Sequence, residues 1–262
     1  MPFPDTKRVV FEHSPLEQVV CQLRFPPILR IDSTPPADFQ EKIRAKFPNY
    51  SESIDFKLEM PFGIGENAPP EMVRQVMQSS GVKNHEFLSE DEKLKINLTR
   101  NFLSLTTTEY HRWEHFIENF RLPVSALTEY YQPTNFSRIG LRYIDVFRRS
   151  KLGLEGVPWK ELLNPALIGL LGSPETANSV DGFETVQVIK LADNAGMVRI
   201  RAKIIIDDTE QIFILDGDFF NSTQNETTDA IDVLNSLNLK ATRFLRWSIQ
   251  DQLFKALGPT DL

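Results

Sequence analysis

Cysteine is almost absent: Cys21 is the only one in 262 residues. One thiol cannot close an intramolecular disulfide, which excludes a disulfide-stapled secreted fold and a cysteine-cluster zinc site. Long apolar runs are missing as well. No stretch approaches the roughly 18 uninterrupted apolar residues of a membrane span, so no membrane partner is expected. The opening residues Met-Pro-Phe-Pro-Asp-Thr-Lys-Arg lack the apolar core of a signal peptide, and a reducing cytoplasm is the expected compartment. Positive charge is in deficit, with 29 Lys and Arg against 36 Asp and Glu and a net charge of -7. An acidic chain repels phosphate backbones, so nucleic acid is not an expected partner. Phosphate-loop and hydrolase-elbow motifs are missing too. Gly63-Ile64-Gly65 has neither a third glycine nor a lysine, and no G-x-S-x-G is present. No cofactor and no metal is assigned.

What the chain has is a core. Hydrophobic residues make up 41% and charged residues 25%, and 19 Phe supply bulky packing area, so a well-filled interior is expected. Leu16 to Pro26 alternates, with Val19, Cys21, Leu23 and Phe25 on one side, which predicts a half-buried strand. The stretch before it, residues 1–15, reads as irregular. Phe39, Ile43 and Phe47 recur at spacing four after Ser33-Thr34-Pro35-Pro36, predicting a short amphipathic helix. Ile54 to Leu58 reads as a strand, residues 61–80 as a long loop, and 85–108 as two or three antiparallel strands. A helix is expected from Glu109 to Tyr131, with Trp113, Phe116, Phe120, Val124 and Leu127 inward.

The second half repeats the order. Phe136–Arg148 reads as a strand and Pro158–Leu171 as a helix. Phe183–Ala192, Val198–Ile206 and Gln211–Phe220 read as strands, and one long helix runs from Thr228 to Leu257. The expected fold class is therefore α+β. Two strand–helix–antiparallel-strands–helix halves, about 16–132 and 133–258, would form one pseudo-symmetric unit: a curved, mainly antiparallel sheet with helices packed on one face.

Three segments carry candidate chemistry. His111-Arg112-Trp113-Glu114-His115 has the H-x-x-E-H form of an inverted zinc-protease motif. Trp113 and Phe116 define the buried stripe, however, which leaves both histidines on the exposed side. The second candidate is a charged strand face. A hairpin turn centred between Ile206 and Gln211 places Arg201 opposite Asp216 and Arg199 opposite Asp218. Lys190 falls beside Arg199 if the preceding turn centres on Asn194-Ala195. This face is either a solvated ion-pair ladder or the floor of a polar cleft for an anionic ligand. The third is Arg138-Ile139-Gly140-Leu141-Arg142, where a glycine between two arginines permits close approach. Arg142 either binds a ligand or pairs with a carboxylate of the second half and locks the halves together. The candidate ligand-binding set is thus Arg138, Arg142, Arg199, Arg201, Asp216 and Asp218, and Cys21, on an apolar face, is read as a buried hydrophobe.

Pro15-Leu16-Glu17-Gln18-Val19-Val20 before Arg24-Phe25, Tyr110 and Trp113 with Phe116, Arg138 through Asp145, and Leu215-Asp216-Gly217-Asp218 together resemble a sporadically distributed family of uncharacterised bacterial proteins of about this length. The likeness spans nearly the whole chain, and its most specific piece is Arg138-Ile139-Gly140-Leu141-Arg142-Tyr143. The resemblance carries no activity; its patchy distribution implies an accessory role such as phage defence or a toxin–antitoxin system. The function expected is a non-enzymatic binding or regulatory module for a small anionic ligand or a protein partner. One alternative is a subunit of a larger assembly or a homodimer, using an apolar patch at Phe244, Trp247 and Phe254. Another is a metal-assisted hydrolase using Asp216 and Asp218 with Asp145.

Overall fold

The computed structural model describes residues 2–56, 81–192, 196–207, 210–223 and 226–261. Its framework is a nine-stranded antiparallel sheet with the order β3-β4-β5-β6-β2-β7-β10-β9-β8. The strands are β2 (Leu16–Arg24), β3 (Asn49–Phe56), β4 (Gly81–Leu88), β5 (Leu94–Thr99), β6 (Phe102–Thr107), β7 (Arg138–Phe147), β8 (Phe183–Lys190), β9 (Met197–Asp207) and β10 (Glu210–Asn221). In each half the first strand lies inside, the last strand of the meander pairs with it, and the others continue outward. The halves meet where β2 and β7, their first strands, pair antiparallel.

Strict alternation fixes the two faces. Val19, Cys21 and Leu23 of β2, Ile139 and Leu141 of β7, and Leu215 and Phe219 of β10 are all at most 1% exposed and share one side of the pleat. The helices pack on that side: α1 (Arg30–Ser33), α2 (Ala37–Ile43), α3 (Trp113–Tyr131), the short α4 (Trp159–Leu162) and α5 (Pro165–Ile168), then α6 (Ala230–Ser248) and α7 (Asp251–Ala256). Phe39 of α2 packs against Phe87 of β4, Trp159 of α4 against Phe213, and Phe244 of α6 edge-on against Phe219. The Trp113 indole donates to Asn235 at 2.8 Å, tying α3 to α6. The α+β class and the helices on one face follow the expectation. The stretch expected as a loop, residues 61–80, lies outside the described residues.

Some ends are shifted, with β3 starting at Asn49 rather than Ile54 and α3 at Trp113 rather than Glu109, and three elements differ more deeply from expectation. Residues 1–15 are not wholly irregular, because β1 (Val9–Phe11) pairs with β11 (Pro259–Asp261) in a separate two-stranded ribbon. The helix expected over Pro158–Leu171 is broken at Leu163. Pro165 disfavours helical backbone in the residue before it, and Asn164 instead caps α5 by accepting from the Ala166 amide at 3.0 Å. The long closing helix is broken at Ile249, which is extended and bridges Leu163. The two breaks form one contact: Asn164 N donates to Ser248 O and Gln250 N to Leu162 O, each at 2.8 Å. A bridge between the two extended residues satisfies backbone groups that either helix would otherwise have kept.

Candidate functional site

The charged face forms as a ladder. Arg201 stands opposite Asp216 and Arg199 opposite Asp218, as a turn-centred hairpin requires. Arg142 grips Asp216 with two bonds, Nε to Oδ1 at 2.7 Å and Nη2 to Oδ2 at 2.6 Å. Arg138 holds Asp218 through Nη2, at 2.6 and 2.8 Å to its two oxygens. Arg138 reaches that far because Gly140 lies under it: a Cβ on Gly140 would stand 2.3 Å from Arg138 Nη1. Its guanidinium also sits 4.7 Å above the Phe220 ring, which faces Gly140 across the strands. Arg201 adds a longer contact, 3.8 Å to Asp216, and approaches Glu184 at 3.4 Å. The proximity of Asp216 holds the Arg142 guanidinium protonated, its pKa raised chiefly by their hydrogen bond.

Both carboxylates are therefore occupied by arginines, and five of the six candidates are already joined by ion pairs, leaving only Arg199. Arg199 is exposed and makes no ion pair among the described residues. Lys190 is not beside Arg199; it pairs with Met197, and Val188 stands opposite Arg199. The cause is Gly196, whose φ of +116° and carbonyl bond from the Leu191 amide start β9 early. A Cβ there would lie 2.1 Å from the Phe220 carbonyl oxygen, so only glycine permits this close entry. Arg142 meets a carboxylate of the second half, but β7 belongs to that half too. The pair therefore ties β7 to β10 and does not bridge the β2–β7 seam.

The other face holds a cavity of about 330 Å³. Its floor is β7 and β10, and α6, the entry to α3 and the N-terminal strand β1 surround it. Gly217 stands opposite Tyr143 on this face, and a side chain there would meet Phe219 at 3.0 Å and Phe244 at 3.3 Å. Glycine in the middle of a strand thus keeps the hollow open.

Asp145 lines this cavity, 5% exposed. Its Oδ1 is sealed from solvent and has no hydrogen-bond partner. Burial alone pushes its carboxyl up to about 7, because the charged form loses hydration without gaining a partner. Beside it the Tyr143 hydroxyl donates to the buried Asn238 at 2.8 Å. The Tyr110 ring stands edge-on to Tyr143 at 6.0 Å, and burial pushes its phenol up to about 12. A second, more open hollow of about 400 Å³ lies alongside, lined by exposed His13, Glu17 and Lys151 and by no buried polar side chain.

The remaining sequence candidates resolve simply. His111 precedes α3, whose Arg112 cap is extended, so His111 and His115 do not share a helix face; both are exposed, and Glu114 is engaged by Arg8 at 2.7 Å. Asp145 cannot join Asp216 and Asp218, because it faces the helix side of the sheet and they face the other. Among the described residues no group of three or more His, Cys, Asp or Glu is gathered to hold a metal. Phe244 is 3% exposed and packs on Phe3 and Phe219, while Trp247 and Phe254 are half-buried against the core. They form no exposed apolar patch. Cys21 is fully buried and its thiol pKa is raised by desolvation. Among the described residues no helix is long and apolar enough to cross a membrane.

Sequence reasoning passed over Asp145, Tyr110, Gly217 and Asn238 as a group. A signal was present: in Ile139, Leu141, Tyr143, Asp145 the alternation runs an acid into the apolar phase of β7. No protein-family model matches the chain, and no curated protein matches it.

Proposed function

We propose that the protein is a non-enzymatic binding module whose ligand seat is the Asp145 cavity rather than the arginine–aspartate face. One observation carries the reading: Asp145, 5% exposed and with a carboxyl oxygen, Oδ1, that has no hydrogen-bond partner, lines a hollow of about 330 Å³. Buried polar groups are ordinarily bonded, and a hollow of a few hundred Å³ with few polar groups is the usual form of a small-molecule site. The alternating arginine–aspartate face supports a structural role, since its carboxylates and two of its arginines satisfy one another. A ligand-responsive module also suits the accessory role implied by the bacterial family it resembles.

Native mass spectrometry after incubation with a bacterial metabolite extract tests this. The wild-type chain should gain small-molecule mass. Ala241→Leu, which places bulk in the cavity wall, should fold and gain none. No added mass, or equal mass on both proteins, would remove the cavity as the seat.

A further inference from the structure

Resting on the cavity as the seat, we infer that its ligand is a small organic ammonium ion with an aromatic or otherwise apolar body, its cationic nitrogen bonded to Asp145. The first ground is the carboxyl itself. Its Oδ1 has no partner, and the Asp145 side chain, which lines the cavity, makes no hydrogen bond or ion pair with the protein among the described residues. A carboxylate accepts hydrogen bonds only, so whatever completes it must bring donors, and an ammonium brings three along with the missing charge.

The second ground is that no side chain of the cavity supplies that charge. Four cationic side chains besides His111 line it; three are paired elsewhere and the fourth, Lys7, is solvent-exposed. Arg8 pairs with Glu114 at 2.7 Å, and Arg112 with the same carboxylate at 3.5 Å. Arg246 pairs with Asp251 at 2.6 Å and lies over the Phe254 ring. Lys7 stands 4.0 Å from Asp261. Tyr143 spends its proton on Asn238, so the phenol nearest in sequence does not serve Asp145 either. An anionic ligand would meet the carboxyl unshielded, and a neutral alcohol would bring one donor and no charge.

The third ground is the wall. Tyr110, Trp113, Tyr143, Phe219 and Phe244 line the space. Aromatic rings attract cations through their quadrupole and accept an apolar body by burial. A space of about 330 Å³ holds a molecule the size of an arylalkylamine and is too small for a folded peptide segment.

The experiment is isothermal titration calorimetry of the full chain at pH 8 with 2-phenylethylamine, 2-phenylethanol and phenylacetate, on wild type and Asp145→Asn. The amine should bind wild type at least about tenfold more tightly than the alcohol, and phenylacetate should not bind. Asp145→Asn should lose the amine preference and keep the alcohol affinity, which also shows that the variant retains the cavity. If the alcohol binds as well as the amine, or phenylacetate binds best, the ammonium class is wrong while the seat stands. If none of the three binds, the ammonium class is again overturned, and the metabolite-extract experiment decides the seat separately. Amine binding unchanged by Asp145→Asn would overturn the assignment of the nitrogen to Asp145.

Discussion

Arg142 and Asp145 stand three residues apart on β7 and face opposite sides of the sheet, one saturated and the other unsatisfied. Arg142 spends two donors on Asp216 at 2.6 and 2.7 Å, whereas Asp145 lies buried with an empty Oδ1. A run of charges that looks uniform in the sequence thus divides, by the parity of the strand, into a structural ladder and a candidate seat.

The ladder should behave as structure. Asp216 is 7% exposed, so Arg142→Ala leaves a largely buried carboxylate with only the longer contact from Arg201. Stability should fall by about 2 kcal/mol, below the full cost of breaking a deeply buried pair because Arg142 is partly solvated. Denaturant titration measures the loss, and 2-phenylethylamine affinity should stay at the wild-type value. Lost affinity at unchanged stability would return the site to the ladder.

Gly140 serves Arg138. In Gly140→Ala the new Cβ displaces the guanidinium from Asp218, at an expected cost of about 1 kcal/mol, typical of a partly exposed, charge-assisted pair. In an Arg138→Ala background the same substitution should cost close to nothing. A double-mutant cycle reads the difference, and additive losses would mean that Gly140 is required for the backbone itself.

Asp145 makes stability depend on pH in an unusual direction. Its carboxyl is raised to about 7 in the folded chain from the ordinary 3.8, so the folded state holds a proton that the unfolded state releases first. The favourable contribution is complete below pH 3.8 and is lost progressively as pH rises to 7, on the order of 4 kcal/mol in all. Asp145→Asn removes this dependence, so the variant should gain stability over wild type between pH 4.5 and 8. Urea melts at those two values check it; a constant difference would mean that Asp145 titrates normally.

The same proton should compete with an ammonium ligand. Affinity for 2-phenylethylamine should rise by up to about tenfold per unit as pH climbs toward 7, then level off. The groups around the carboxyl that carry charge or titrate are Tyr143 on its own strand, Tyr110, His111 and Arg112 before α3, Lys7, Arg8 and Glu12 on the N-terminal segment, and Arg246 on α6. His111→Gln should leave the profile unchanged, and a profile that moves with it would assign the proton to the imidazole.

Much of the frame was legible. The two-residue period of β2 and β7 separates buried Val19, Cys21, Leu23, Ile139 and Leu141 from the open face, and a centred turn yields the Arg201–Asp216 register. Helix ends were harder, because the Leu163–Ile249 bridge is a contact between segments 86 positions apart and leaves no local period. Lys190 was misplaced by two residues because the positive φ of Gly196 sets that register, not loop length. Of the site, the acid in the apolar phase of β7 was readable, but Tyr110, Asn238 and the rim from β1 meet it only through tertiary packing.

A crystal structure of the chain grown with 2-phenylethylamine decides whether the Asp145 cavity is the seat. The expected result is density inside the cavity, with the nitrogen about 2.8 Å from the Asp145 carboxylate and the Arg142–Asp216 pair intact. A molecule seated on the sheet's other face at Arg199 and Arg201, with the Asp145 cavity empty, would contradict it.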